Sequence, residues 1–235
     1  MTALSNKRQY ICVSLVLTLF LACVGWMDPA QAQLTQPPAE FTIARVKYSG
    51  GGDWYSDPSS LPNLLRFIEQ HTNMHVVAEE ARVSISDKEL FSYPYLYMTG
   101  HGNITLSDEE ASRLRWYLEH GGFLHADDNY GMDASFRREM KKVFPDKELV
   151  ELPFSHGIYH CHFGFPEGLP KIHEHDGGPP HGYGIFHERR LVLFYSFNTD
   201  LGDGWEDPAV HGDPEHKRIA ALQMGTNIVV WAMTH

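Results

Sequence analysis

Cysteine is nearly absent. The 235 residues contain three, and two of them, Cys12 and Cys23, fall in an apolar N-terminal segment. Only Cys161 remains beyond it, which excludes a fold held by internal disulfides. Basic residues are scarce as well, 19 against 30 acidic, for a formal net charge of −11. That balance argues against nucleic acid or an anionic membrane surface as the main partner. Past residue 32 no apolar run is long enough to span a bilayer. Neither Gly50-Gly51-Gly52 nor Gly100-His101-Gly102 matches a dinucleotide fingerprint or a P-loop. There is no internal repeat and no low-complexity segment.

What is present begins with a leader. Lys7 and Arg8 form a basic start, Ile11–Trp26 an apolar stretch, and Ala30-Gln31-Ala32 a small-residue cleavage site, so residues 1–32 read as a signal peptide. The alternative is an uncleaved anchor. Cleavage leaves 17 basic and 29 acidic residues in a periplasmic or secreted protein. Residues 33–40, with two prolines, read as a tether, and residues 41–235 as a single domain.

The domain is organised around Tyr95–Tyr130. Tyr95–Thr99 is a short buried strand broken by Gly100-His101-Gly102. Ser107 with Glu110 forms a capping box, Ala111, Leu114 and Leu118 recur at helical spacing, and Gly121 ends the helix. Phe123–Ala126 is a second strand closing in Asp127-Asp128. Strand, helix and strand in so short a span make a βαβ unit and predict a parallel sheet. Around it, Phe41–Tyr48 and Met74–Ala78 read as strands, with helices from near Ser60 and over Met132–Phe144. Beyond Pro145 the chain is loop-rich. Tyr183–Phe186 and Leu191–Phe197 form an expected hairpin, and a final helix starts near Pro214. The alternation up to Pro145 predicts an open, mostly parallel α/β sheet.

Ligands in such sheets bind outside the carboxyl ends of the strands. Three turns fall there, Ser49–Trp54, Gly100–Asn103 and Asp127–Tyr130. They make Gly51, Asp53, Trp54, Gly100, Gly102 and Asp128 candidate ligand-binding residues, and Asp127 with His101 a candidate acid–base pair that Asp53 joins. Trp54 beside Asp53 suits a sugar or peptide ligand, with core packing as the alternative. Histidines crowd residues 156–187, and His160-x-His162 places both imidazoles on one face of an extended segment, a workable pair for a divalent metal. Asp200, Asp203, Glu206 and Asp207 lack EF-hand spacing and read as a solvated loop, with calcium binding as the alternative.

At FTIARVKYSGGGDW, YPYLYMTGHGNITLS, YLEHGGFLHADD and VFPDKELVELPFSHGIYH the chain resembles the bacterial domain of unknown function 4159 family. That family is similar to the class I glutamine amidotransferase-like fold and its trehalose-utilisation (ThuA-like) members. The resemblance implies a flavodoxin-like three-layer sandwich and no particular activity. Glutamine amidotransferases place a cysteine nucleophile where this chain has Asp127-Asp128, and a carboxylate cannot form their thioester, so glutaminase chemistry is excluded. Cys161, between His160 and His162, lacks a nucleophile elbow. The expected function is capture of a ligand or partner by an exported domain. The alternative is a hydrolase in which Asp127 or a histidine-bound metal activates water.

Overall fold

The parallel core grows from strands whose alternate side chains serve two faces. In the computed structural model, which describes residues 40–175 and 177–235, β1 is Ala44–Lys47, β2 Ala81–Ser84, β3 Tyr95–Gly100 and β4 Phe123–Asp128. Three more strands, β5 (Val150–Glu151), β6 (His181–His187) and β7 (Arg190–Phe197), complete one sheet in the order β2-β1-β3-β4-β7-β6-β5. The β1–β2, β1–β3, β3–β4 and β4–β7 pairs are parallel, and β6 joins β7 and β5 antiparallel. The fold is thus mixed α/β with a mostly parallel sheet.

Period-two alternation divides the core. Leu96, Met98, Leu124 and Ala126 pack with α2 (Asp108–Glu119) and α3 (Asp133–Val143). Tyr95, Tyr97 and Phe123 pack with α1 (Ser60–His71) and α6 (Glu215–Thr234) on the opposite face. The Ser107–Glu110 capping box at the start of α2 is fully formed. Asp128 Oδ1 accepts from Met132 N at 3.2 Å just before α3. Glu188 and Arg189, both at positive φ, make the tight turn of the β6–β7 hairpin. Among the described residues no helix is long and apolar enough to cross a membrane. The leader and most of the tether lie outside the described residues.

Two local expectations fail. Met74–Ala78 is not the second strand: Phe41–Val76 is an isolated bridge, and the ladder with β1 runs over Ala81–Ser84. That later register puts Val83 in the core at 2% exposure, whereas Val77 is 38% exposed. The acidic loop after β7 is not solvated either. It folds into α4 (Leu201–Trp205) and α5 (Pro208–His211), with Asp200, Asp203 and Glu206 buried. The cause is apolar anchoring. Leu201 and Trp205 are fully buried, and Trp205 Nε1 donates to Ala221 O at 2.8 Å.

Candidate functional site

The β1–β3, β3–β4 and β4–β7 pairs are all parallel, so the carboxyl ends of these four strands point the same way, and the loops leaving them carry the polar side chains of the candidate site. On the rim, Asp53 accepts a bond from the main-chain N–H of His101, and its Oδ2 lies 3.1 Å from His101 Nδ1. Gly100 makes this approach possible. It has φ +136°, and a Cβ there would stand 2.4 Å from the Tyr48 hydroxyl and 3.0 Å from the Asp53 backbone. Gly51 faces open space, and Gly102 lies near Gly52. Trp54 is partly buried against the core and meets Tyr55 edge to face.

Asp127 lies deeper, with no exposed surface. Its Oδ1 faces the Ser196 hydroxyl, its Oδ2 accepts from Gly202 N at 2.7 Å, and Tyr97 OH stands 3.4 Å away. Among the described residues no hydrogen bond or ion pair joins Asp127 to His101; each has its own partners. Asp127 therefore grips the turn between Leu201 and Asp203, and Gly202 permits it, because a Cβ there would sit 2.7 Å from Tyr97 OH and 3.0 Å from Asp57 Oδ2.

That turn delivers the main cluster. Asp200, in the left-handed region at φ +57°, is 1% exposed, and neither carboxylate oxygen accepts a hydrogen bond. What faces its Oδ2 is the ring nitrogen His175 Nε2, in ion-pair contact, and His173 Nδ1 at 3.6 Å. His173 Nδ1 is also 2.8 Å from Asp203 Oδ2. Behind the ring, Asp213 receives His173 Nε2 at 3.1–3.2 Å from both its oxygens, which fixes the imidazole so that Nδ1 points inward. Asn129 Nδ2 donates to Asp57 Oδ2 at 2.7 Å and to Asp203 Oδ1 at 3.3 Å, and His211 Nε2 lies 3.7 Å from the same Asp203 oxygen. Tyr130, half exposed, stacks on His175 at the mouth with ring centroids 4.9 Å apart.

Two sets of potential metal-donor atoms result, each within 4.8 Å of one another: His173, His175, Asp200 and Asp203, and then Asp57, Asp203 and His211. Non-glycine residues in the left-handed region gather around them (Asp57, Tyr130, Asn198, Asp200), a local strain that the surrounding packing must hold.

Like charges kept from water set the protonation. Burial, then the charge of Asp203, pushes Asp57 up to about 8. Burial pushes Asp127 to about 7, and burial with the charges of Asp127 and Asp203 takes Asp200 to about 9. Burial also raises Asp128. For Asp203 burial works upward, but the His173 N–H and the charge on His211 bring it below the usual carboxylate range. The bond to Asp203 lifts His173 to about 9, while burial and its charged neighbour His173 lower His175. Arg45 does not relieve this acidity. Its guanidinium is held by Glu80 and by the carbonyls of Ser56 and Asp57.

His160 and His162 lie elsewhere. Their Nε2 atoms are bonded to the carbonyls of Phe154 and His71, each at 2.8 Å, and among the described residues neither joins a group of three potential metal-donor side chains. Cys161 has its Sγ 3.2 Å from Asn227 O, and burial pushes the thiol up to about 11, the wrong direction for a nucleophile. Sequence reasoning passed over Asp57 and His211, noted His173 and His175 only as part of a histidine-rich stretch, and read Asp200 and Asp203 as a solvated loop. One signal was available in Leu201-Gly202-Asp203-Gly204-Trp205, because a solvated loop has no use for a leucine and a tryptophan flanking two glycines.

Fold and site together define a mixed α/β protein with a partly buried carboxylate–histidine cluster beyond the carboxyl ends of its central parallel strands. Residues 42–233 match the family model described as Domain of unknown function (DUF4159), and the chain belongs to that family. Comparison with the curated proteins gives no match.

Proposed function

We propose that this is an exported ligand-binding domain that captures its ligand through a divalent metal and hydrolyses it. His173, His175, Asp200 and Asp203 would hold the metal. The observation that carries the reading is the Asp200 carboxylate, 1% exposed, without a hydrogen bond, and faced by two imidazole nitrogens. In the metal-free protein burial and the neighbouring acids keep this group protonated near neutral pH, and a cation among the same donors would let it ionise. Mixed imidazole and carboxylate donors suit zinc, iron, nickel or manganese better than calcium or magnesium. A metal in such a site supplies a water ionised near neutral pH. Around it the chain provides the exposed imidazole of His101 to exchange protons and the Tyr130 ring as a stacking wall for a sugar or peptide. Asp127 positions the Asp200–Asp203 turn.

Export rests on the leader sequence. The flavodoxin-like, class I glutamine amidotransferase-like and ThuA-like assignment is supported by the parallel β2-β1-β3-β4 order and by the Thr99–Gly102 turn.

Elemental analysis after dialysis against zinc tests the reading. Stoichiometric zinc, removed by chelator with a fall in Tm, is the expected result, followed by turnover on a panel of ester, amide and phosphoester substrates. Protein that retains no zinc, and whose Tm ignores both metal and chelator, contradicts it.

A further inference from the structure

We infer that the carboxylate–histidine cluster takes two metal ions, not one, with the Asp203 carboxylate as the bridge between them. The inference rests on the metal reading above and extends it to the second donor set.

The two oxygens of Asp203 face different partners. Oδ2 lies 2.8 Å from His173 Nδ1, on the side of Asp200 and His175. Oδ1 faces His211 Nε2 at 3.7 Å and Asn129 Nδ2 at 3.3 Å, and Asn129 also holds Asp57 Oδ2 at 2.7 Å. One carboxylate thus belongs to both donor sets, His173–His175–Asp200–Asp203 and Asp57–Asp203–His211. A carboxylate bridging through its two oxygens suits metals about 3.5–4 Å apart, the usual spacing in two-metal hydrolytic sites.

The second observation is the Asp200 carboxylate on the first side of the bridge, 1% exposed, without a hydrogen bond and aimed at His173 and His175 of the same cluster. Asn129 fits as the fixed element, because its amide spaces Asp57 from Asp203 without adding charge. The ligand class that follows has two adjacent oxygens able to touch both ions, such as a phosphoester or a carboxylate-bearing amide.

The test counts metals in the full chain. Protein dialysed against Zn²⁺, and in parallel against Mn²⁺, is analysed for bound equivalents, and the manganese samples are examined by electron paramagnetic resonance. Two equivalents are expected in the wild type, with an exchange-coupled manganese signal. His211→Ala is expected to hold one equivalent and to show an uncoupled six-line signal. Asp57→Asn serves as the second variant and should also drop to one, with circular dichroism confirming that both variants fold. One equivalent in the wild type, unchanged in His211→Ala, overturns the bridge and leaves the single-metal site standing. Two uncoupled equivalents insensitive to both variants also overturn it. No bound metal overturns the bridge and the metal reading together.

Discussion

His160–His162 and His173–His175 are the same pattern, two histidines one residue apart in the same loop-rich stretch, and the fold uses them in opposite ways. The first pair points its Nε2 atoms at main-chain carbonyls of Phe154 and His71, pinning loops in place. The second pair points its ring nitrogens at the carboxylates of Asp200 and Asp203, with Asp213 bracing His173 from behind. Spacing alone decides whether two imidazoles can share a face. What a metal site needs in addition is carboxylates from elsewhere in the chain, and only the second pair receives them, from the turn after β7.

The widest separation between the pairs should appear in metal affinity. Replacing His173 and His175 by alanine is expected to weaken zinc binding by more than about a hundredfold, since ligands outweigh the outer-shell partners that already cost 10–100-fold. Replacing His160 and His162 should leave zinc affinity unchanged and lower only thermal stability. Isothermal titration on both double variants reads this, and equal losses would erase the distinction.

Asp127 sharpens the comparison from beneath the site. Asp127→Ala strands the Gly202 N–H, and denaturant melts should show a loss of about 1–3 kcal/mol. Asp127→Asn can still accept from Gly202 and donate to Ser196, so it should keep both fold and zinc. Zinc lost from a well-folded Asp127→Asn would instead make Asp127 a ligand.

A smaller effect follows from protons. In metal-free protein Asp57 and Asp200 ionise near 8 and 9, far above unfolded carboxylates near 3.9, and His173 near 9 lies above its unfolded value of about 6.5. The native state therefore holds more protons than the unfolded chain, and stability falls as pH rises towards about 9, by at most about 1.4 kcal/mol per pH unit per group. His125 acts oppositely, because burial lowers it to about 3, so its contribution is lost as pH falls from about 6.5 towards 3. Between pH 6.5 and 9 His125 stays neutral, and Tm of the chelated protein should decline. The zinc-loaded protein should decline less, because metal replaces the protons. Parallel pH profiles with and without zinc would contradict this.

Much of the fold was legible because it is local. The Ser107–Glu110 box, the 3.6-residue spacing in α2 and the glycine breaks write the βαβ unit directly into the chain, and they place Asp53, His101 and Asp127 at strand ends. The second strand was misplaced because Met74–Ala78 and Ala81–Ser84 are both short and mildly apolar, and only pairing with β1 chooses between them. The site was less legible. Asp57, His173, Asp200, Asp203 and His211 meet only through tertiary packing, driven by Trp205 and Leu201, and acidic composition disguised that segment as solvated.

The most direct test is an anomalous difference map from crystals grown with zinc, collected at the zinc edge. A peak about 2.0–2.2 Å from His173 Nδ1 and from an oxygen of Asp203 is the expected result. A map that is empty there, or whose peak sits between His160 and His162, would contradict it.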